Sequence, residues 1–333
     1  MWWQRAWYAA KVRPILWLLL PLHNLFVMLS RSRRWLYQRG WLTSYKAPVP
    51  LIVVGNITVG GSGKTPVTLA LVKHLQQAGW RPGIISRGYG GKGPFPLLVD
   101  DNCNASACGD EPWLLQQRAG VPLVVAPDRV AAARQLCQLH PEVTILVADD
   151  GLQHYRLQRD IEVVVVDSRR RFGNGWRLPL GPLREPPQRI KQADFCVQQA
   201  ANDGTASSNF YQIVPAKWRR VSDDSEVDKV NWQQPIAIAG IADPERFFDT
   251  VRGLGIKPIE CRSFADHHPF STADFADISA EQVLLMTEKD AAKCRALATP
   301  PWYYLPISAA FTDEFWQQID RRLAALTNLI TTE

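Results

Sequence analysis

The sequence predicts an α/β fold: a doubly wound parallel sheet, a second and smaller α/β domain, and an N-terminal helix that associates with a membrane. The chain has 333 residues, enough for two domains, and 46% of them are hydrophobic, which excludes intrinsic disorder. Short apolar, β-rich runs alternate with helical patterns, as they do in parallel sheets. Charge is distributed unevenly, because no Asp or Glu occurs before Asp100.

The first 99 residues form a basic segment. They contain thirteen Lys or Arg, whereas residues 100–333 carry a net charge of −7. An asymmetry of this kind indicates a polyanionic partner, either a nucleic acid or a lipid surface.

The N-terminal part, residues 1–47, favours the lipid surface. Seventeen uncharged residues lie between Arg13 and Arg31, and both flanks are rich in Trp and Arg. Aromatic rings prefer the headgroup level of a membrane, and cations pair with anionic lipid there. Seventeen residues are at the lower limit for a span, so a helix in the interface or a short re-entrant anchor is predicted. A buried core helix and a full span are the alternatives, and no nucleic acid partner is expected.

Residues 50–65 predict a phosphate-binding loop. An apolar run at 50–54 is typical of a buried parallel strand, and a glycine-rich loop and a helical pattern follow it. The segment matches a P-loop, except that Thr58 stands where the first glycine is usual. A P-loop NTPase type of fold is therefore expected, with backbone N–H groups around a nucleotide. The predicted nucleotide-binding residues are Thr58, Val59, Gly60, Gly61, Ser62, Gly63, Lys64 and Thr65.

The cofactors predicted for this loop are ATP and Mg²⁺. Lys64 would reach the β- and γ-phosphates, and the Thr65 hydroxyl would ligate the metal. A strand-like run at 143–148 ends in Asp149 and Asp150, an arrangement like Walker B, in which an Asp holds Mg²⁺ directly or through water. Which of the two aspartates touches the metal first is open, and a solvated turn is the alternative. Adenine is favoured, because the sequence has no N-K-x-D segment for guanine.

Eight motifs, taken together and in order, resemble those of one family. They are GNITVGGSGKTP at 55–66, SRGYGG at 86–91, GDEP at 109–112, DDGLQH at 149–154, RFGNG at 171–175, LGPLREP at 180–186, DHHPF at 266–270 and TEKD at 287–290. Over nearly its whole length the chain resembles the tetraacyldisaccharide 4′-kinases, the lipid A 4′-kinases of Gram-negative bacteria.

The resemblance implies an ATP-dependent lipid kinase. The expected reaction moves the γ-phosphate of ATP to the 4′-hydroxyl of a tetraacylated glucosamine disaccharide 1-phosphate, in lipopolysaccharide synthesis. The expected partners are this acylated lipid and the membrane surface, at the cytoplasmic face of the inner membrane, with no obligate protein partner. A multi-acyl lipid stays in the bilayer, so the N-terminal segment would bring the enzyme to it.

The resemblance also implies the catalytic residues. Asp110 is expected to pair with His267 or His268 to activate the hydroxyl, alongside Lys64. We favour His267, because it directly follows an aspartate. Which member of the pair takes the proton is open. The alternatives are a helix N-terminal acid at Asp110 and a solvated turn at the histidines.

Three arginines are candidates for phosphate contacts, because a guanidinium binds phosphate oxygens bidentately. They are Arg129, Arg171 and Arg184, and each is equally consistent with a surface arginine. Glu111 and Glu185 are candidates for orienting such an arginine or a metal-bound water. The Gly- and Pro-rich segment 169–185 suits a lid over the disaccharide.

Three domains are predicted: the N-terminal segment 1–47, a kinase domain at 48–225, and a smaller α/β domain at 226–333. In the last, strands are expected at 235–240, 256–259, 283–286 and 303–307. An Asp110–His267 pair would join two domains, so domain closure would assemble the site. The alternative function is a membrane-tethered P-loop ATPase switch that recruits a protein partner. Such a switch needs no base for an organic hydroxyl, which the GDEP and DHHPF motifs provide.

Overall fold

The computed structural model describes residues 6–9, 12–200, 209–227, 232–279, 281–299 and 301–330. Its strands are β1 Leu51–Gly55, β2 Pro82–Ser86, β3 Leu97–Leu98, β4 Leu123–Val125, β5 Ile145–Asp149, β6 Ile161–Val166, β7 Phe195–Gln199, β8 Phe210–Pro215, β9 Trp218–Arg220, β10 Glu226–Val227, β11 Ile236–Ala239, β12 Glu260–Ser263, β13 Leu284–Thr287, β14 Trp302–Leu305 and β15 Ile307–Phe311. Its α-helices are α1 Leu20–Gln38, α2 Lys64–Gln77, α3 Ala105–Cys108, α4 Asp110–Ala119, α5 Arg129–Leu139, α6 Pro244–Gly253, α7 Glu288–Cys294 and α8 Asp313–Ile330. Short 3-10 helices lie at Pro14–Leu19, Pro187–Gln192, Thr272–Phe275 and Arg295–Leu297.

The larger sheet is doubly wound, as predicted. Among the described residues its strand order is β15-β8-β7-β6-β1-β5-β2-β4-β3, with antiparallel pairing only at the two edges. Strand β1 is buried on both faces. Ile52 and Val54 pack with Leu71 of α2 on one side, while Leu51 and Val53 pack in the core that contains α5 on the other. Alternation with a period of two therefore serves two apolar layers at once.

The smaller sheet has the order β10-β9-β14-β13-β11-β12 among the described residues. Strands β14, β13, β11 and β12 are parallel, and α6 and α7 contribute to the cores on its two faces. The strand predicted at 256–259 is wrong, because the ladder begins at Glu260. Pro258 has no N–H to give to a ladder, and the buried Ile256 packs into the core from the preceding loop.

The chain passes between the two sheets twice. Strand β9 lies before the predicted boundary at 225 but belongs to the smaller sheet, and β15 returns to pair with β8. At the two crossings the Ala216 N–H donates to the Pro306 carbonyl at 2.9 Å. We therefore propose that 217–306 form the smaller domain, inserted into a larger one that ends with α8.

The N-terminal segment contains a nearly continuous helix. Residues Pro14–Gln38 are long and apolar enough to cross a membrane by length and composition. One side of the helix is attached to the protein, since buried His23 donates from Nδ1 to the Arg177 carbonyl at 2.9 Å. The other side leaves large apolar side chains exposed. They are Ile15, Leu18, Leu22, Leu25, Met28 and Leu29.

Candidate active site

The glycine loop begins where β1 ends and leads into α2. Gly60 and Gly63 have φ values of +99° and +79°, which favour glycine. A Cβ at Gly63 would also lie 2.7 Å from the Tyr211 hydroxyl. Thr58, which replaces the usual first glycine, is buried and accepts a hydrogen bond from Asn56 at 3.2 Å. The departure from the motif is therefore accommodated by a local hydrogen bond.

This loop has the features of an anion site. The buried hydroxyl of Ser62 has no hydrogen-bond partner within the described parts of the chain. The α2 N-terminus, at Lys64, faces the loop with unpaired backbone N–H groups. A phosphate would satisfy both, so the residues present fit a nucleotide.

Two aspartates at the end of β5 have opposite electrostatic settings. Burial alone would raise the pKa of Asp150, but Lys64, at 3.5 Å, and two arginines outweigh it and lower the pKa to about 2. Burial and the charge of Glu111 raise the pKa of Asp149 to about 7. Asp149 also accepts a hydrogen bond from Thr68 at 3.1 Å. Asp149 is buried and Glu111 is partly exposed, and the two carboxylates fit a divalent cation because their oxygens are of the kind that Mg²⁺ prefers.

Across the described residues, no three His, Cys, Asp or Glu side chains form a cluster that could hold a metal alone. Mg²⁺ in kinases characteristically takes phosphate and water oxygens besides one or two carboxylates. The predicted metal residues, Thr65, Asp149, Asp150 and Glu111, remain a prediction.

Asp110 and His267 meet across the two domains. Asp110 begins α4, directly after Gly109, whose φ is +97° and whose added Cβ would lie 2.4 Å from the Tyr89 carbonyl oxygen. The Asp110 Oδ2 lies 3.2 Å from His267 Nδ1. Burial would raise the pKa of Asp110, but the hydrogen bond to His267 and the nearby lysines lower it. His267 has a φ of +61°, and its ring packs on Tyr89.

His268 faces a different neighbourhood. Its Nε2 lies 3.1 Å from Asp274 Oδ1, and its ring packs between those of Phe264 and Phe270. The structure thus brings only the first histidine of the pair to Asp110.

Lys289 is a member of the site that sequence reasoning missed. Its Nζ lies 3.1 Å from Glu111 Oε1, 3.4 Å from Asp266 Oδ1 and 3.3 Å from His267 Nε2. The sequence contained one signal, since the lysine belongs to the TEKD motif at 287–290. The contacts of Lys289 could not be inferred from the motif, because two of its partners, His267 and Glu111, lie 22 and 178 residues away in the chain.

A cleft between the domains adjoins the glycine loop. Gly61, Gly63 and Thr65 line part of it, charged side chains such as Glu111, Asp266 and Lys289 line another part, and apolar side chains from both domains contribute as well. These are Pro66, Leu69, Leu114, Ile213, Ile241, Phe247, Leu305 and Ile307. A flat apolar ring such as adenine suits these walls, and sequence reasoning identified none of them.

The predicted phosphate-binding arginines have different surroundings. Arg129 is buried and donates to three backbone carbonyls, including that of Asp150 at 3.1 Å. Burial lowers its pKa to about 10. Arg171 lies exposed on the 169–185 segment with a φ of +43°. Arg184 Nη1 lies 3.4 Å from both carboxylate oxygens of Asp150. Of the three, Arg184 contacts the Asp150 carboxylate, whereas Arg129 contacts the Asp150 backbone carbonyl.

Glu185 is enclosed by hydrogen-bond donors. It is buried and accepts from Tyr155 at 2.6 Å and from Gln153 at 2.8 Å. Its ionic partners are Arg189, at 3.3 Å, and Arg34, at 3.9 Å. These contacts tie the 169–185 segment to the end of β5.

A basic cleft, missed by sequence reasoning, lies between α1 and this segment. Arg31, Arg33, Arg34, Arg177 and Arg184 line it, together with Tyr155 and Gln153. The signal in the sequence was the cluster of arginines at the end of the apolar run. The location of this cleft next to Arg184 depends on the packing of α1 and could not be predicted from the sequence.

The chain matches a family model described as tetraacyldisaccharide-1-P 4′-kinase over residues 15–324. It is 46% identical to the tetraacyldisaccharide 4′-kinase of Idiomarina loihiensis, covering 93% of each chain. It is also 46% identical to that of Aeromonas salmonicida, covering 97% of each. Among solved structures it is similar to LpxK from Aquifex aeolicus in complex with ATP, with a TM-score of 0.75 and 28% identity over 92% of this chain and 99% of the other.

Proposed function

The chain belongs to the tetraacyldisaccharide-1-P 4′-kinase family, and we propose that it transfers the γ-phosphate of ATP to the 4′-hydroxyl of a tetraacylated glucosamine disaccharide 1-phosphate. It is an ATP-dependent kinase of lipid A synthesis. The observation that supports this chemistry best is the pairing of Asp110 with His267 at 3.2 Å, next in sequence to Glu111 and Asp266, which line the same cleft as the glycine loop. A nucleotide switch has no need of such a pair, so the kinase is favoured over the membrane-tethered ATPase switch.

The glycine loop and Lys64 are proposed to position the phosphates. Backbone N–H groups and the Ser62 hydroxyl would bind phosphate oxygens, and the Lys64 ammonium would neutralise charge that develops during transfer. The apolar cleft beside Gly63 would hold the adenine. When bound, Mg²⁺ neutralises charge on the phosphate oxygens. Thr65, Asp149, Asp150 and Glu111 are the residues that would hold it.

The Asp110–His267 pair is proposed to accept the proton of the 4′-hydroxyl. A base within hydrogen-bond reach of the hydroxyl lets the oxygen attack phosphorus as its proton leaves. Asp110 is suited to this, because its lowered pKa keeps it ionised and its partner orients it. His268 has no part in this proposal, since its Nε2 pairs with Asp274.

The basic cleft is proposed to receive the anionic part of the lipid. Arg184 connects it to the active site through Asp150, and Arg31 and Arg34 approach it from α1. Guanidinium groups bind phosphate oxygens bidentately, so a sugar phosphate suits the cleft. The exposed apolar side chains of α1 would then lie on the acyl-chain side.

The chain is proposed to work at the cytoplasmic face of the inner membrane. Leu18, in the 3-10 helix before α1, and Leu22, on α1, are exposed, and the exposed Arg31 and Arg33 follow them on α1. An apolar surface with a basic end is typical of interfacial helices. Flotation with anionic phospholipid vesicles tests this, and Leu18→Asp should reduce binding while Leu254→Asp, at an exposed leucine of the other domain, should not.

The transfer itself is tested with ATP and a detergent-dispersed tetraacyl disaccharide 1-phosphate. Wild-type protein should form the 4′-phosphate, and Asp110→Ala should lose roughly 10²-fold or more in kcat. Asp101→Ala, at an exposed aspartate nine residues earlier, is the matched control and should keep full activity. Folded, ATP-binding wild-type protein that forms no product would contradict the proposal.

A further inference from the structure

Residues 6–9, which precede the long N-terminal helix, are attached to the 169–185 segment. The Trp7 indole donates from Nε1 to the Pro179 carbonyl at 3.0 Å. The Trp7 carbonyl in turn accepts from the Asn174 N–H at 2.8 Å. These two bonds hold residues 6–9 against the kinase domain independently of α1.

Tyr8 reaches from these residues to the glycine loop. Its hydroxyl donates to the Val59 carbonyl at 3.4 Å, and the Arg170 guanidinium lies over its ring, with Cζ 5.0 Å from the ring centroid. Burial raises the pKa of the Tyr8 hydroxyl, although the charge of Arg170 opposes that rise. The hydroxyl is therefore protonated at neutral pH and is a hydrogen-bond donor.

The Val59 carbonyl belongs to the peptide that leads into Gly60. This peptide is trans, so its carbonyl and the Gly60 N–H point in opposite directions. A bond that holds the carbonyl toward Tyr8 therefore directs the Gly60 N–H to the other side of the loop. In a P-loop, the N–H groups that point inward are the ones that bind phosphate oxygens.

The peptides on either side of this one are held by other groups. The Val59 N–H donates to the Pro182 carbonyl at 2.8 Å, and the Gly60 carbonyl accepts from Asn56 Nδ2 at 3.4 Å. Among the described residues, no atom lies within 4 Å of a Cβ added at Gly60, so steric contacts leave this residue free to turn. Of the described contacts, the Tyr8 hydroxyl is the one that orients the peptide between the two.

The same tyrosine supports a contact between the loop and the smaller domain. Arg170, over its ring, donates to the Ala242 carbonyl. A Cβ added at Gly61 would lie 3.2 Å from the Cβ of Ala242. The contacts form a closed circuit that begins and ends in the glycine loop and runs through Val59, Tyr8, Arg170, Ala242 and Gly61.

We propose that Tyr8 is a positioning residue of the nucleotide site, whose hydroxyl holds the Val59 carbonyl so that the Gly60 N–H faces a phosphate oxygen of the bound nucleotide. The inference rests on the proposed ATP site in the glycine loop. The glycines give the loop its turn, and the tyrosine orients one peptide within it. Because the loop binds phosphate before and during transfer, loss of this contact weakens ATP binding more than it slows the transfer.

Tyr8→Phe tests the inference, because it removes the hydroxyl and keeps the ring beneath Arg170. The Kd for ATP, measured by calorimetry on the full-length protein in detergent, should rise roughly 2- to 10-fold, the range for one neutral hydrogen bond. The KM for ATP should rise by the same factor. The kcat and the KM for the lipid should stay within about twofold of the wild-type values.

Tyr45→Phe is the matched control, since the Tyr45 ring also lies under an arginine, Arg134, at 4.7 Å. This variant should keep the wild-type Kd for ATP. A second measurement needs neither nucleotide nor lipid. Amide hydrogen exchange in the 55–63 peptide should be faster in Tyr8→Phe than in the wild-type protein and in Tyr45→Phe.

A folded Tyr8→Phe protein with the wild-type Kd for ATP would overturn the inference, as would unchanged hydrogen exchange in the glycine loop. A lower melting temperature with an unaltered Kd for ATP would show a purely structural tyrosine and would also overturn it. Wild-type protein that binds ATP but forms no product would instead be a failure of the proposed kinase function. The Kd values of the two tyrosine variants would still decide the role of Tyr8 in that case.

Discussion

The glycine loop at 55–65 and the histidine loop at 264–270 lie on opposite sides of one cleft, and they are built differently. The glycine loop obtains its shape locally, from Gly60 and Gly63 and from the strand and helix that flank it. The histidine loop obtains its shape from partners far away in the chain, Asp110 and Lys289. The glycine loop can be identified from its own residues, whereas the pairing of Asp110 with His267 was expected only from the family resemblance.

The largest expected effect on catalysis comes from the glycine loop. Lys64→Met removes the buried ammonium that pairs with Asp150, and with it the charge that stabilises the transferring phosphate. We expect kcat to fall roughly 10²- to 10³-fold, the range for loss of one electrostatic contact in a transition state. Steady-state transfer assays measure this, with Lys73→Met on the same helix as the control. A loss below tenfold would mean that the loop alone does not determine the chemistry.

The histidine loop predicts different effects for its two adjacent histidines, His267 and His268. His267→Asn should cost roughly 10- to 100-fold in kcat, because Asp110 loses its oriented partner. His268→Asn should change kcat by less than about threefold, since that ring pairs with Asp274 and interactions away from the reacting atoms contribute little. Both variants are measured in the same assay, with thermal melting to compare their folding. Equal losses in the two would show that the loop, and not one contact, carries the effect.

The smallest effect concerns the shape of the glycine loop. Gly63→Ala forces a side chain onto a φ of +79° and within 2.7 Å of the Tyr211 hydroxyl. Strain of this kind costs about 1–3 kcal/mol, part of which should be recovered by movement of the tyrosine. We expect a raised KM for ATP with a small change in kcat. Gly79→Ala serves as the control, because its φ of +87° is similar but nothing lies within 4 Å of the added Cβ.

The sequence was informative wherever structure is local. The continuous apolar run of β1 and the glycine loop after it were predicted, as was the doubly wound sheet. Long-range features were not: β15 pairs with β8 across some ninety residues, so the boundary near 225 missed its return. His267 was favoured over His268 because it follows an aspartate, whereas the contacts of Lys289 with Glu111 and His267 depend on the packing of the two domains. Such features follow from tertiary contacts, which periodicity does not encode.

The two chain crossings at Ala216 and Pro306 run side by side and are hydrogen-bonded to each other, where β8 and β15 leave the larger sheet. The antiparallel pairing of β8 with β15 extends to this point, so the two connections between the domains are bonded to each other. The smaller domain is therefore held by two adjacent connections that are hydrogen-bonded to each other, rather than by a single linker. If the smaller domain closes on the larger one, we expect Asp266, His267 and Lys289 to move together, because all three belong to it. Two bonded connections would then bring these residues back to the same place beside α4 at each closure, which a single flexible linker would not ensure.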